Sequence, residues 1–244
     1  MDNITHSLAG ALIANAVLHL RAHEARQTPS TGTDGLATVA VTTGVIGANL
    51  PDADVPWNAL MEAMGRYDAI SSLLHHRGIT HSLLAALAWI TMLWGAAAWL
   101  HARSVSRSGR GTVSAAHRMT LLLVATIAVV SHVTLDFTND YGVHPLSPFV
   151  NRWFYGDTSF IIEPWLWVLG ASALLRTTRS RIARAGLGIV IVLAVVLSWL
   201  APQVSAVPAA LVTIGAVGAT LFAWRTSPAR ATAFGITAWL MVSG

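Results

Sequence analysis

Eight apolar segments, separated by short polar connections, constrain this chain more than any other feature of its sequence. The segments lie at residues 7–20, 36–50, 82–100, 119–137, 160–175, 185–200, 207–224 and 231–244. Several reach the roughly 20 residues that a helix needs to cross about 30 Å of hydrocarbon. Only 11% of the residues are charged and 54% are hydrophobic, so the chain has too few charges to cover a water-facing surface. The chain is therefore predicted to lie within a lipid bilayer.

The predicted fold class is all-α, a polytopic transmembrane bundle of six to eight helices. The first two segments are short and rich in alanine and glycine, so we expect them to be tilted, re-entrant or packed inside the bundle. The last segment is still apolar at Gly244. We therefore expect either that the final helix is unfinished or that the chain is a fragment of a longer protein.

Charged residues divide the connections into two alternating sets. The arginine-rich set holds twelve of the fifteen arginines and only two acids, Glu24 and Asp34. The acidic set holds the other three arginines, nine acids and six of the ten histidines. Under the positive-inside rule, the arginine-rich set is cytoplasmic and the acidic set faces the periplasm. Because the arginines fall between apolar segments rather than on one soluble face, no nucleic-acid partner is predicted.

The acidic set contains the residue types that bind metals in a chain without cysteine. The clearest pattern joins His132 and Asp136, which stand one turn apart on the same face of a helix and could chelate one ion. The alternative is a hydrogen-bonded His–Asp pair that caps a buried helix. A second pattern, His76-Arg77-Gly78-Ile79-Thr80-His81, places two imidazoles around a turn, with an arginine suited to a substrate phosphate or carboxylate. The alternative there is an interfacial loop with titrating histidines.

Two carboxylates follow a proline in Pro51-Asp52-Ala53-Asp54, which suits a metal-binding turn and, less well, a polar helix stop. His6 opens the first apolar segment, although a single histidine near an amino terminus usually faces solvent. Asp157 or Glu163 could complete the cluster of metal-binding side chains. For Asp157, a structural role in a turn is the better explanation. The candidates expected on one membrane face are more than a single zinc ion requires. They are His6, Asp52, Asp54, His76, His81, His132, Asp136 and Glu163. We therefore predict two or more ions, an arrangement common in phosphoester hydrolysis.

These motifs also carry a family resemblance, which runs from about Asp2 to Trp167. They are Asp2-Asn3-Ile4-Thr5-His6-Ser7, Asn49-Leu50-Pro51-Asp52-Ala53-Asp54, His76-Arg77-Gly78-Ile79-Thr80-His81, Ser131-His132 with Asp136, Asn139-Asp140-Tyr141-Gly142 and Arg152-Trp153-Phe154-Tyr155-Gly156-Asp157. The set resembles the YdjM-type bacterial inner-membrane proteins, usually called membrane-bound, metal-dependent hydrolases. Its motif order is also similar to that of helical zinc phospholipase C and nuclease enzymes, in which His and Asp residues hold a cluster of zinc ions. The resemblance implies the metal ligands His6, Asp52, His76, His81, His132 and Asp136, with Glu163 as a further one.

The sequence therefore predicts a metal-dependent hydrolase domain over residues 1–175, followed by additional transmembrane helices over 176–244. A divalent ion, zinc by preference, would activate water for attack on a phosphoester such as a lipid head group. Asp54 or Glu163 would act as general base, and Arg77 would hold the anionic oxygens. The alternatives are a metal-binding transport or sensing protein without chemistry, and a structural membrane protein whose polar edge only packs.

Overall fold

The structure, a computed structural model, describes residues 1–25, 35–68, 77–109, 112–150 and 152–243. The helices of the described residues are α1 (Asn3–Ala25), α2 (Leu36–Gly47), α3 (Asp54–Ala63), α4 (Leu83–Ser108), α5 (Ala115–Phe137), α6 (Pro164–Thr177), α7 (Arg181–Leu200), α8 (Ala206–Arg225) and α9 (Pro228–Ser243). Short 3₁₀ helices lie at Leu50–Ala53 and Ile79–His81. Within the described ranges the only β pairing is a single bridge between Val143 and Phe154. The all-α prediction is therefore confirmed.

Among the described residues, four helices are long and apolar enough to cross a membrane: α4, α5, α7 and α8. The predicted count of six to eight is not confirmed. All eight apolar segments form helices, but α2 has 12 residues and α6 has 14. Helix α3 was not predicted, because its ten residues form no apolar run.

Helix α6 shows why an apolar segment need not face lipid. Every residue from Leu166 to Leu174 is buried, and their side chains form the largest hydrophobic cluster together with residues of α1, α8 and α9. In contrast, α7 exposes Ile189 and Val192 along its length. A short apolar helix buried on all sides is typical of a protein core rather than of a membrane span.

Helices α1 and α2 approach each other through two glycines. A Cβ atom on Gly10 would lie 2.1 Å from the Gly44 carbonyl oxygen, and one on Gly44 would lie 2.2 Å from that of Gly10. Small residues allow this close approach of helix backbones in membrane proteins. Beyond the crossing, the Asn49 side-chain amide donates to Ser7 Oγ at 3.0 Å. The crossing therefore fixes the start of α1 against the chain segment that follows α2.

The connections gather at two opposite ends of the bundle. The acidic end carries residues 48–68, 77–82, 138–150 and 152–163. There, Leu83 N–H donates to the Pro145 carbonyl and Asp2 N–H donates to the Ile161 carbonyl. At the arginine-rich end, which carries residues 101–109, 112–118, 176–181 and 225–230, Arg176 Nε donates to the Thr226 carbonyl at 3.2 Å. The two sets of connections predicted from the charges thus correspond to the two ends of the fold.

Candidate metal centre

Three separate parts of the chain bring four metal-binding side chains together at the acidic end. Asp52 lies in the 3₁₀ helix that follows α2, and His81 ends the 3₁₀ helix that precedes α4. His132 and Asp136 lie on one face of α5, within its last two turns. One donor atom from each of these four residues lies within 4.8 Å of the other three, and all four side chains are buried.

The distances between these donors fit a common ion. His81 Nε2 lies 3.1 Å from His132 Nε2, 3.3 Å from Asp52 Oδ1 and 3.2 Å from Asp136 Oδ2. His132 Nε2 lies 3.4 Å from Asp52 Oδ1 and 3.5 Å from Asp136 Oδ2. Donors placed tetrahedrally at about 2.0–2.1 Å from zinc are separated by roughly 3.3–3.4 Å. The donor group thus has the chemical composition and the spacing of a four-coordinate site without cysteine.

The hydrogen bonds of the imidazoles orient both rings toward this group. His132 Nδ1 lies 2.7 Å from the Ala48 carbonyl oxygen. Because a carbonyl only accepts, Nδ1 carries a proton, so Nε2 is the ring atom that faces the other donors and that would give up its own proton to an ion. His81 Nδ1 lies 3.0 Å from Thr80 Oγ1, which holds the second ring in a similar way. Partners of this kind accompany metal-binding histidines.

Arg77 provides a buried positive charge beside the carboxylates. Its Nε lies 3.1 Å from Asp136 Oδ2, and its Nη1 donates to Asn139 Oδ1 at 2.8 Å. Its backbone N–H donates to Asp54 Oδ2 at 3.3 Å, and its φ of 63° is a left-handed conformation. The guanidinium therefore orients Asp136 within the protein, and its contact with a substrate anion stays a prediction. Asp54 is half-buried and so lies nearer the surface than Asp52.

Asp136 also faces a second set of groups through its other oxygen. His6 Nε2 lies 3.3 Å from Asp136 Oδ1, and the Met1 amino group contacts the same oxygen. The His6 ring is fully buried and stacks on His132 with 3.9 Å between the ring centroids. Within the described part of the chain, neither nitrogen of His6 makes a hydrogen bond of normal geometry. His6 is therefore a buried neighbour of the donor group, although a histidine near the amino terminus usually faces solvent.

The charge state of Asp52 suits cation binding. Burial raises the pKa of this carboxyl group, but hydrogen bonds with His132 and His81 outweigh burial and hold the pKa well below its usual range. Asp52 is therefore an ionised carboxylate in the folded protein. It adds negative charge to a pocket in which Asp136 faces Arg77.

Glu163 has a clear structural role outside this donor group. Its carboxylate accepts a hydrogen bond of 3.5 Å from the Trp165 N–H and caps the first turn of α6. Burial raises the pKa of Glu163, and the hydrogen bond from Trp165 opposes that shift. Its predicted roles as general base or metal ligand stay predictions. Asp157 has a left-handed backbone conformation, with a φ of 51°. His76 and its neighbour His75 lie outside the described residues.

Sequence reasoning missed the residues that support the donors. Asn139 lies one turn after Asp136, and its side-chain oxygen accepts from Arg77 and from the Tyr141 N–H. The polar run after α5 was a usable signal for Asn139, since a buried asparagine is normally hydrogen-bonded. Thr80 and the Ala48 carbonyl carried no signal, because their roles depend on how α4 and α5 pack against the turn after α2.

Comparisons with known proteins identify one family. A family model described as YdjM inner membrane protein matches residues 1–205. No curated protein and no solved structure matches the chain. The matched range includes every donor residue and extends beyond α7.

Proposed function

This chain belongs to the YdjM inner membrane protein family, and from that premise we propose that it is a membrane-bound, metal-dependent hydrolase that cleaves a phosphoester. One observation carries the proposal. Two histidines and two aspartates from distant parts of the chain converge on one buried group at the acidic end, with donor spacings of 3.1–3.5 Å. Buried ionisable groups are costly in a membrane protein and mark functional sites.

The chemistry follows from the donor types. A divalent ion held by Asp52, His81, His132 and Asp136 would need a fifth position for water, and there it would act as a Lewis acid and lower the pKa of that water toward about 7. Zinc is the proposed ion because imidazole and carboxylate donors at near-tetrahedral spacing suit it. Asp54 is the proposed general base, since it is half-buried and is positioned by the Arg77 N–H. The positive charge of Arg77 beside the site favours an anionic substrate.

The position of Asp136 supports a second ion. Its Oδ2 faces His81 and His132, whereas its Oδ1 faces His6 at 3.3 Å. A carboxylate with donors on both sides can bridge two ions about 3.5–4 Å apart, as in two-metal phosphoesterases. His6 would then be a ligand of the second ion. The proposal for His76 as a ligand rests on the family resemblance alone.

The proposed substrate is a phosphoester at the periplasmic surface, with a lipid head group as the first candidate. The positive-inside rule puts the arginine-rich end in the cytoplasm and the donor group on the other side. The chain has no cysteine, so orientation can be measured with single introduced cysteines. We expect a membrane-impermeant maleimide to label Asp140→Cys in intact spheroplasts and to label Arg107→Cys only after lysis. The reverse pattern would contradict the periplasmic site.

The direct test combines metal analysis with a substrate screen. The full chain, purified in detergent, should contain metal in stoichiometric amount and hydrolyse bis(p-nitrophenyl) phosphate or vesicle phospholipids. Chelation should abolish hydrolysis and added zinc should restore it. His132→Ala and Asp136→Ala should lack both metal and activity, whereas Asp140→Ala, on an exposed residue next to the site, should keep both. Protein that carries stoichiometric metal but cleaves none of these substrates would contradict the hydrolase proposal.

A second candidate, a metal-binding sensing protein without chemistry, is favoured by the burial of the donors. His81, His132 and Asp136 have no exposed surface. This candidate predicts stoichiometric metal and a metal-dependent change in stability, without hydrolysis. A transporter is less favoured, because ionisable groups should then follow a path through the midplane, and the donors lie at the ends of helices instead.

A further inference from the structure

A large cavity lies at the arginine-rich end of the bundle, away from the metal centre. Its volume is about 1550 Å³. One wall consists of the end of α1 and the start of α2, including His19 and Thr38, and the other consists of the connection between α6 and α7. His6, beside the metal centre, and His19, in this cavity, are 13 residues apart on α1, so about 20 Å of helix separates the two sites.

The described lining of the cavity is cationic. Arg176, Arg179 and Arg184 contribute guanidinium groups, and no Asp or Glu is among the lining residues. Arg176 is held by its hydrogen bond to the Thr226 carbonyl, and the Arg184 guanidinium lies 5.4 Å from the centre of the Trp224 ring. Among the described residues that line the cavity, neither contact gives these charges a carboxylate partner. An anionic ligand with several oxygens would match this set of planar donors.

The cavity also has an apolar side. Leu18, Val41 and Leu175 line it beside the polar groups. Arg184 lies in the first turn of α7, and farther along the same helix Ile189 and Val192 are exposed. A ligand bound to the arginines could place an apolar part against Leu18, Val41 and Leu175. Free inorganic phosphate would use the arginines but not the apolar wall.

We propose that this cavity binds the head group of an anionic glycerophospholipid, with its phosphate held by Arg179 and Arg184. Basic pockets at the membrane edge attract anionic lipids because the positive charges add to the burial of the acyl chains. The cavity volume exceeds the roughly 300–1,000 Å³ of common ligand pockets, which leaves room for the glycerol and the first part of the chains. This lipid site is separate from the metal centre and is independent of the proposed hydrolysis.

The test measures lipid binding to the full chain in detergent micelles. We expect phosphatidylglycerol to bind the wild type at least ten-fold more tightly than phosphatidylcholine, measured by native mass spectrometry and by lipid-dependent thermal stabilisation. Arg179→Gln with Arg184→Gln should weaken phosphatidylglycerol binding about 30-fold, from the attraction of two arginines near the surface. The matched control, Arg103→Gln with Arg107→Gln, removes two exposed charges at the same end that do not line the cavity. This control should bind as the wild type does.

A charge-preserving variant distinguishes a loss of lipid binding from a loss of folding. Arg179→Lys with Arg184→Lys keeps both charges but loses the planar forks, so its affinity should lie between those of the wild type and the glutamine variant. Equal weakening in the control pair, or equal wild-type affinity for phosphatidylcholine, would overturn the proposal. Binding of glycerol 3-phosphate or inorganic phosphate as tightly as phosphatidylglycerol would also overturn it, because the apolar wall would then contribute nothing.

Discussion

Helices α4 and α5, together with the 3₁₀ helix before α4, carry a close histidine pair at each end. At the acidic end, His81 Nε2 and His132 Nε2 are 3.1 Å apart. At the arginine-rich end, His101 Nε2 and His117 Nδ1 are 3.2 Å apart. All four side chains are buried. Because 15 residues of α5 separate His117 from His132, roughly 22 Å of helix lies between the two pairs.

The two pairs differ in their surroundings. Within the described part of the chain, one group of His, Asp and Glu side chains has the arrangement of a metal site, and it contains the acidic-end pair but neither His101 nor His117. At the arginine-rich end one imidazole can donate its proton to the other, so the pair forms an ordinary hydrogen bond. At the acidic end, His132 has its proton on Nδ1, engaged by the Ala48 carbonyl.

The comparison shows that buried histidines alone do not define a metal centre. At the acidic end His132 Nε2 faces two carboxylates, and a bound cation would balance their charge. The other pair is joined by one hydrogen bond between the two rings. The metal proposal therefore depends on Asp52 and Asp136 more than on the number of histidines, and the following changes test that dependence.

The largest effect is expected for Asp136→Asn, which removes the charge that faces His81, His132 and Arg77. Metal content should fall from stoichiometric to background, because a neutral amide oxygen is a poor ligand and the Arg77 charge loses its partner. Elemental analysis of the purified protein measures this. Asp140→Asn, at an exposed position after α5, is the matched control and should keep its metal. Full metal content in Asp136→Asn would remove Asp136 from the site.

A matched pair of histidine variants compares the two ends directly. His132→Ala should weaken zinc affinity by more than the roughly 10–100-fold typical of a residue that only supports a ligand, because it deletes one of the four donors. His117→Ala removes a buried histidine from the same helix and should leave the affinity unchanged. Competition with a chromogenic chelator gives both values. Similar losses in the two variants would mean that the effect comes from general destabilisation.

The sequence predicted the parts of this comparison that depend on local spacing and on hydropathy. The apolar runs of α4, α5, α7 and α8 are long enough to identify spans by length alone. His132 and Asp136 follow helical spacing, so their common face could be read directly. The alternation of charged connections also predicted that Asp52 and His81 would lie at the same end as this pair.

The side-chain contacts that the sequence did not predict depend on tertiary packing. Glu163 looked like a member of the acidic group, but its position before Pro164 also makes it the N-cap of α6, and the structure shows that contact. Arg77 looked like a substrate-binding residue, although its pairing with Asp136 and Asn139 depends on how the turn before α4 packs on α5. The contact of His101 with His117 could not be read from two apolar segments, since it depends on their relative rotation.

A smaller effect is expected when a supporting residue is removed. Asn139→Ala should leave the four donors in place but remove the hydrogen bond that Asn139 accepts from Arg77. Arg77 should then orient Asp136 less well. The expected loss of zinc affinity is about 10-fold to 100-fold. Asn58→Ala, which removes another buried asparagine of the acidic end, is the control. An affinity equal to that of the wild type in Asn139→Ala would show that Arg77 does not need Asn139 to orient Asp136.

The smallest effect concerns the arginine-rich pair, and it should appear in stability rather than in metal content. His101→Ala, His117→Ala and the double variant form a cycle that isolates the energy of their contact. A coupling of about 0.5–3 kcal/mol is expected for two buried side chains in direct contact, measured by unfolding in mixed micelles with the metal content determined in parallel. All three variants should keep stoichiometric metal, because their nearest donor, on α5, is roughly 22 Å away. A loss of metal in either single variant would mean that the two ends are linked, and the histidine pair at the arginine-rich end would then have to be counted as part of the metal centre.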